Sequence, residues 1–345
     1  MDLAETVSKW LDGDASALVQ REYLIPAEGK DSPFFPPTFA GTGSEGSGYC
    51  IDTMKDGTQT CLVDTVGSQA NRMEPIFAKE PYSGLVPQVV ISAGQQSTNI
   101  FEVGHRAADA LLRHSSVGTD LDKALRSLAD GDPAPLARIA PTSFVFGMWD
   151  SRGTQVKLPR IVSSVIRAYD IDQLTRSAQY FLPVNYRDEE LLGEASDKKH
   201  SDARSDLGFN EIPSTNTHGG IIAHGEIRRD TVVNLSALRL IISDDREEEV
   251  QKYILSLSLL AATCGGIGHL RQGCILTRDP ERGTPRWEVV YPDGRREGVE
   301  IDHGSVLEYA KEAAKAFGKG DDIDAVFETA KAKDKIEAAA KPKKK

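Results

Sequence analysis

The sequence lacks the features that define several large protein classes. No apolar run among its 345 residues approaches the ~20 residues of a membrane-spanning helix, so we expect no membrane partner. Its beginning has no basic segment followed by an apolar core, so we expect no secretory signal and a cytoplasmic location. Its four cysteines, Cys50, Cys61, Cys264 and Cys274, form no CxxC pair, and we expect reduced thiols.

Familiar catalytic and metal-binding motifs are absent as well. The chain contains no GxSxG, HExxH or EF-hand pattern, and we expect no catalytic residues, no metal and no cofactor. His218, His224 and Glu226 could supply metal ligands, but the register of a strand does not by itself bring them together. The histidine and two cysteines at residues 264–274 lack zinc-site spacing. A Cys–His nucleophile there is a weak hypothesis, because nothing in the sequence orients the imidazole.

The chain has no excess of positive charge, since its formal net charge is -11. This argues against a protein that coats nucleic acid through an overall basic field. The charge is uneven, however, because cations outnumber anions between residues 151 and 187. The cations there are Arg152, Lys157, Arg160, Arg167, Arg176 and Arg187, and only Asp170 and Asp172 oppose them. The composition therefore allows a local basic groove on an acidic body.

Length and composition are compatible with one large domain. With 39% hydrophobic residues the chain can supply a sizeable core. We expect a single domain over residues 1–317, with a flexible insertion at about 187–210, which is polar and weakly patterned. We expect residues 318–345 to form a C-terminal extension that is rich in Lys and Ala and frayed at its end.

Strand and helix patterns are mixed along the chain, which favours an α+β fold with a largely antiparallel sheet. The turn Lys55-Asp56-Gly57 predicts a hairpin. A wide apolar stripe predicts a helix over Glu248–Cys264. Helical spacing also predicts helices over Phe101–His114 and Pro159–Tyr169, whereas the apolar run Ser143–Trp149 predicts a strand.

The stretch Val63–Pro75 is the centre of this interpretation. It begins as the end of a strand, turns at Gly67 and continues with helical spacing. One face carries Val66, Ala70, Met73 and Phe77, and the other carries Ser68, Gln69, Asn71, Arg72 and Glu74. Amide side chains beside a planar guanidinium suit phosphate groups or base edges. The alternative is a solvated helix face, with Ser68 as N-cap and Arg72 paired to a neighbouring carboxylate.

A glycine-rich loop, Gly265–Gly273, is a second candidate for anion binding. It matches neither GxGxxG nor the P-loop, and it follows a helix and precedes a strand, which is the reverse of both motifs. Glycine nevertheless lets backbone N–H groups approach a phosphate chain closely, and Arg271 adds charge. A plain helix-to-strand connection is the alternative.

Hydroxyls and arginines also meet in the predicted helix at Pro159–Tyr169. Arg160, Ser163 and Arg167 would lie there, within the basic stretch. Side chains of these types contact phosphates in many nucleic-acid interfaces. A phosphate-binding role and an ordinary surface role are equally compatible with this pattern.

Several of these segments together resemble a known family. Val63–Glu74, Arg160–Ala168, Ser177–Tyr180, His218–Arg239 and the glycine-rich loop are similar to the RAMP-superfamily backbone subunit of the type I-U (I-G) CRISPR Cascade. The resemblance extends from about Tyr23 to Tyr309, and Val63–Glu74 is its most specific part. It implies a modified RRM (ferredoxin-like) palm with large insertions described as fingers and thumb. The Arg187–Asn210 insertion is a candidate for the thumb.

The resemblance also implies the function and the partners. Several copies would stack in a helical filament along one CRISPR RNA, and the exposed guide would pair with target DNA. Other Cascade subunits (small, large and guide-processing) and a recruited helicase-nuclease would be further partners. The residues that we expect to contact the guide are Ser68, Gln69, Asn71, Arg72, Arg160, Ser163, Arg167, Gly266, Gly268, His269 and Arg271. The usual RRM aromatic motif is absent, so base stacking by sheet aromatics is not supported.

We favour this non-catalytic, RNA-binding role over two alternatives. The first is a metal-dependent ribonuclease, because relatives in other CRISPR classes cut RNA with an acidic residue. Asp64 or the pair His224 and Glu226 would be its centre, although we favour a capping or salt-bridging role for Asp64. The second alternative is an acidic scaffold without RNA contact.

Overall fold

Strands and helices are mixed along the computed structural model, which describes residues 3–40, 47–186, 188–211, 213–243 and 246–340. The α-helices are α1 Leu3–Asp12, α2 Val66–Met73, α3 Ala110–Arg113, α4 Gly118–Ala129, α5 Ala134–Ile139, α6 Thr142–Phe146, α7 Lys198–Asp206, α8 Leu235–Leu238, α9 Glu247–Thr263, α10 His303–Phe317 and α11 Thr329–Ala340. Short 3-10 helices span Glu74–Ala78, Ser83–Leu85, Ile100–Glu102, Arg106–Ala108 and Pro280–Arg282.

The strands build one large sheet and several small ones. They are β1 Ala17–Pro26, β2 Thr38–Ala40, β3 Ser47–Tyr49, β4 Ile51–Thr53, β5 Gln59–Asp64, β6 Val89–Ala93, β7 Gln96–Asn99, β8 Met148–Trp149, β9 Lys157–Leu158, β10 Val162–Tyr169, β11 Ile171–Gln179, β12 Pro213–Ala223, β13 Ile227–Asn234, β14 Leu276–Arg278, β15 Trp287–Val290, β16 Arg296–Val299 and β17 Ile323–Val326. The main sheet has the order β16-β15-β1-β13-β10-β5-β4, and β14 also pairs with β1. Its strand pairs are antiparallel, which confirms the predicted α+β class.

One face of the main sheet is buried against helices, because apolar residues alternate along its central strands. On this face lie Leu18 of β1, Val162 of β10 and Val233 of β13, each at most 1% exposed. Helix α9 contacts β10 and β13 and is buried along most of its length, which explains its wide apolar stripe. The predicted helix at Glu248–Cys264 is thereby confirmed, as is the hairpin between β4 and β5.

Most of the helix predicted at residues 159–169 is instead strand β10, Val162–Tyr169. Strand β10 pairs with β13 on one side and β5 on the other, and its burial alternates with a period of two. The helical interpretation relied on apolar residues spaced three or four apart. The β-branched residues Val162, Val165 and Ile166 favour the extended backbone instead, and pairing on both sides fixes it.

The predicted strand at Ser143–Trp149 is also wrong, since Thr142–Phe146 forms helix α6. All five residues of this short helix are buried, and its apolar residues Phe144, Val145 and Phe146 are at most 1% exposed. Periodicity cannot separate such a helix from a buried strand. Gly147, at φ 77°, then turns the chain into β8.

The predicted helix at Phe101–His114 is interrupted. It consists of two 3-10 turns and the short helix α3, and Arg106 adopts a φ of 50°, which a regular helix does not allow. Arg106 is held there by a buried ion pair: its Nε lies 2.8 Å from Glu74 Oε2. Its Nη1 also donates to the Gly147 carbonyl, at 3.2 Å. Burial raises the pKa of Glu74 to about 7, although Arg106 acts in the opposite direction.

The insertion and the C-terminal segment both have structure in the described residues. Strands β11 and β12 form a two-stranded ribbon, and helix α7 lies in the segment that connects them. Strand β17 pairs in parallel with β6, and helix α11, which follows it, has no buried residue. Residues 341–345, where we expect fraying, lie outside the described residues. Among the helices of the described part, none is long and apolar enough to cross a membrane.

We expect Arg106→Ala to lower the free energy of unfolding by about 3–5 kcal/mol, because the buried Glu74 loses its cation and must either stay charged without a partner or bind a proton. Urea denaturation followed by circular dichroism measures this change. Lys123→Ala is the control, because Lys123 pairs with Asp120 on an exposed part of α4. Loss of this exposed ion pair should lower the free energy of unfolding by less than about 1 kcal/mol. Equal midpoints for the two variants would contradict the role of the buried pair.

Candidate functional site

Helix α2 lies where the sequence predicts it, directly after the buried strand β5. Thr65 caps its first turn, because the Thr65 hydroxyl accepts a hydrogen bond from the Ser68 N–H at 3.0 Å. The N-cap is therefore Thr65 and not Ser68. Ala70 and Met73 face the core, as the spacing predicts. Asn71 is exposed and Ser68 is half-buried.

Gln69 is buried and connects α2 to the main sheet. Its Nε2 donates to Asp64 Oδ2 at 2.5 Å, and its Oε1 accepts from the Ser164 hydroxyl at 3.0 Å. Ser164 in turn lies 3.0 Å from the Thr231 hydroxyl of β13. With a side chain only 2% exposed, Gln69 holds the helix in place rather than presenting an amide to a ligand.

Arg72 joins three separate parts of the chain. Its Nε donates to Asp64 Oδ2 at 3.1 Å, its Nη1 donates to the His269 carbonyl, and its Nη2 donates to the Leu270 carbonyl at 2.9 Å. The planar fork of a guanidinium suits this arrangement of acceptors. The alternative of a carboxylate partner for Arg72 therefore agrees with the contacts, and the same side chain also holds the glycine-rich loop against α2.

The glycine-rich loop follows α9 and precedes β14. Gly268 has a φ of 67°, and an added Cβ there would meet nothing within 4 Å, so this glycine serves the backbone rather than packing. Gly266, Gly268 and His269 are exposed. Among the described residues, no group accepts a hydrogen bond from the backbone N–H of residues 266–270. Backbone N–H groups without an acceptor in the protein are able to bind an anion.

Arg271 and Arg160 contact different parts of the chain around this arrangement. Arg271 is half-buried and donates to the Pro36 carbonyl at 2.8 Å, which anchors the far end of the loop. Arg160 is exposed, and its Nη1 lies 3.5 Å from the Val66 carbonyl at the beginning of α2. We name Asn71, Arg72, Arg160, Gly268 and His269 the α2–loop surface.

Ser163 and Arg167 do not belong to the α2–loop surface. Both are half-buried on β10, on the face opposite to Ser164, which contacts α2 through Gln69. Arg167 lies across from Arg228 of β13. The predicted helix at 159–169 would have grouped Arg160, Ser163 and Arg167. In the structure, Ser163 and Arg167 share one face of β10, and Arg160 lies before the strand begins and contacts α2 instead.

A buried polar seam crosses the covered face of the sheet, and sequence reasoning did not find it. We define the seam as Glu22, Asp64, Gln69, Ser164, Arg229 and Thr231, all at most 7% exposed. Glu22 Oε2 lies 2.8 Å from Arg229 Nη2, and Glu22 also pairs with Arg278. The sequence did contain an indication of the seam, because the charged residue Glu22 occupies an inward position of β1 between Leu18 and Leu24.

The acidic and histidine residues of the metal-site and ribonuclease hypotheses are paired with other side chains of the protein. Asp64 is 3% exposed and accepts from Gln69 and Arg72. His224 Nε2 lies 2.9 Å from Asp172 Oδ2, and Glu226 pairs with arginines. No group of three or more His, Cys, Asp or Glu side chains within the described ranges could hold a metal ion. Burial raises the pKa of Cys274 to about 12, so this thiol is protonated near neutral pH.

Part of the chain matches a known protein family. Residues 18–173 match the family described as CRISPR-associated protein GSU0053 (Cas_GSU0053). The matched segment contains β1, β5, α2 and β10 and therefore includes Asp64, Gln69, Arg72 and Arg160. The glycine-rich loop lies outside it. No curated protein matches the chain.

We expect Arg72→Ala to release the glycine-rich loop while the fold persists. Charge-assisted hydrogen bonds contribute about 1.5–3 kcal/mol each, so losing those to the His269 and Leu270 carbonyls should speed chymotrypsin cleavage after Leu270 at least about tenfold. Mass spectrometry of the fragments measures the rate. Asn71→Ala, at the adjacent exposed position, should leave it unchanged. Equal rates for both variants would show that Arg72 does not hold the loop.

Proposed function

We propose that this CRISPR-associated protein, with a role in CRISPR defence, is a non-catalytic backbone subunit that binds guide RNA. Copies of the chain would assemble along one CRISPR RNA within an RNA-guided DNA surveillance complex of the Cascade type. The observation that carries the proposal is the α2–loop surface. In it, an arginine of the family-matched segment holds the glycine-rich loop against α2, and a second, exposed arginine contacts the beginning of the same helix.

The α2–loop surface suits a nucleic acid that is bound regardless of its base sequence. Free backbone N–H groups of residues 266–270 and the guanidinium of Arg160 can contact phosphates, and Asn71 adds a polar side chain. Contacts of this type fix the register of a nucleic acid and do not read its bases. One such surface on each copy is enough, so the formal net charge of -11 is compatible with RNA binding.

The strand order supports a modified RRM palm. Strands β1, β10, β13 and β15 follow one another along the chain, and across the sheet they lie in the order β15-β1-β13-β10. Helical segments connect β1 to β10 and β13 to β15. The β-α-β-β-α-β arrangement of ferredoxin-like folds has its first and third strands in the middle in the same way. Residues 27–161 would then be a large insertion in the first crossover.

The ribbon of β11 and β12 is our candidate for the thumb. Most of β11 is exposed, and the segment beyond it presents Phe181 and Leu191, which are 68% and 63% exposed. Leu207, at the end of α7, is 73% exposed. Apolar side chains on a projecting ribbon suit contact with a neighbouring copy or insertion between bases.

A catalytic role has less support. The ribonuclease hypothesis needs an acidic residue that is open to a metal and to substrate, and Asp64 is enclosed by Gln69 and Arg72. His224 and Glu226 are occupied by Asp172 and by arginines. These contacts favour a binding protein over a nuclease.

The decisive experiment is co-expression of the chain with a CRISPR array and its neighbouring genes, followed by purification and sequencing of bound nucleic acid. We expect a large complex that contains short RNAs of repeat–spacer origin. Expression without the array is the control. A nucleic-acid-free monomer in both preparations would refute the proposal.

We expect Arg160→Ala to weaken guide binding to a similar degree for every guide sequence. Loss of one phosphate contact on a single strand should reduce the slope of log K against log salt by about 0.7. Fluorescence anisotropy with labelled guide RNA at several salt concentrations measures both quantities. Lys311→Ala, which removes a half-exposed lysine on the distant helix α10, is the matched control. An unchanged slope for Arg160→Ala would argue against a phosphate contact.

A further inference from the structure

One of the three tryptophans is exposed. Trp10 and Trp287 are 5% and 3% exposed, whereas Trp149 is 58% exposed. Exposure of so large an aromatic surface is unfavourable in water, and aromatic side chains are enriched where a partner covers them. Trp149 therefore calls for a functional explanation.

The short hairpin of β8 and β9, which carries Trp149, is rigidly held. Asp150, 1% exposed, accepts from Arg113 of α3 and from the N–H and hydroxyl of Thr154, at 2.7 and 2.9 Å. Met148 and Leu158, the outer pair of the hairpin, pack against the core. Trp149 thus stands on an ordered support, which reduces the entropy lost when a ligand stacks on it.

The surroundings of Trp149 are cationic. Lys157 lies directly across the hairpin, with its Nζ 5.7 Å from the centroid of the indole. Arg152 and Arg160 are exposed. Within residues 148–160 the only acidic side chain is Asp150, which is buried and paired. This combination favours a polyanion with aromatic groups over an apolar protein surface.

The hairpin is continuous with the α2–loop surface. Arg160 follows β9 by two residues, and its Nη1 reaches the Val66 carbonyl at the beginning of α2. From Val66, helix α2 then extends for about 9 Å to Arg72, which contacts the glycine-rich loop. A strand of nucleic acid lying along α2 would meet Trp149 beyond the Arg160 end.

We propose that Trp149 is a stacking platform for one base of a single-stranded nucleic acid, with Lys157 and Arg152 beside its phosphates. This inference rests on the proposed guide-binding function and adds a base contact to it. Stacking accepts any base, because every base has a π-face. The platform would therefore strengthen binding without selecting a sequence.

Intrinsic fluorescence tests the inference directly, because Trp149 is by far the most exposed of the three tryptophans. We expect single-stranded oligoadenylate to quench the emission of the purified full chain. Trp149→Ala should weaken binding about tenfold, as measured by anisotropy of the labelled oligonucleotide. Trp149→Phe should keep most of the affinity but lose the quenching. Leu240→Ala, which truncates an exposed side chain elsewhere, should match the unaltered chain.

The outcomes separate the two proposals. If the oligonucleotide binds with unchanged emission, and Trp149→Ala binds equally well, the platform is refuted while guide binding stands. If Trp149→Ala abolishes self-association in light scattering and leaves oligonucleotide affinity unchanged, Trp149 contacts a second copy and the platform is again refuted. Absence of oligonucleotide binding, together with absence of RNA from the co-expressed complex, refutes both proposals.

Discussion

The fork of hydrogen bonds made by Arg72 is the interaction on which the candidate site depends. One guanidinium connects the end of β5, the helix that follows it and a loop almost two hundred residues further along the chain. Lysine could not replace it, because a single ammonium lacks the planar arrangement of donors. The N–H groups of the loop can stay free because Arg72 holds the loop through its His269 and Leu270 carbonyls. Arg72 thus contributes to the surface chiefly by holding its parts together through hydrogen bonds within the protein.

The polar seam gives the sheet its register. It crosses the covered face between two hydrophobic clusters, one around Leu18 and Val233 and the other around Leu24 and Ile227. A slip of one residue would turn Glu22 away from Arg229 and separate Ser164 from Thr231. Buried polar groups are costly without partners, so the seam penalises every pairing but the observed one.

Sequence patterns predicted the parts of the structure whose period is long or whose turn chemistry is specific. Helix α9, helix α2 and the Asp-Gly hairpin belong to this group. Strand β10 and helix α6 were predicted wrongly. The apolar residues of β10 also fit a helical spacing, and α6 is short and entirely buried, so the surroundings decide both conformations. The grouping of α2 with the glycine-rich loop came from the resemblance to the Cascade backbone subunit. The polar seam could not be predicted, because the sequence does not show that Glu22 and Arg229 lie opposite each other.

The position of β1 in the sheet determines when this protein can fold. Its neighbours, β13 and β15, begin at residues 227 and 287, so the central strand is synthesised long before either partner exists. At ~5–20 residues per second, the nascent chain carries β1 without a partner strand for on the order of tens of seconds. Products that end before residue 227 contain neither neighbouring strand of β1 and cannot build the centre of the sheet.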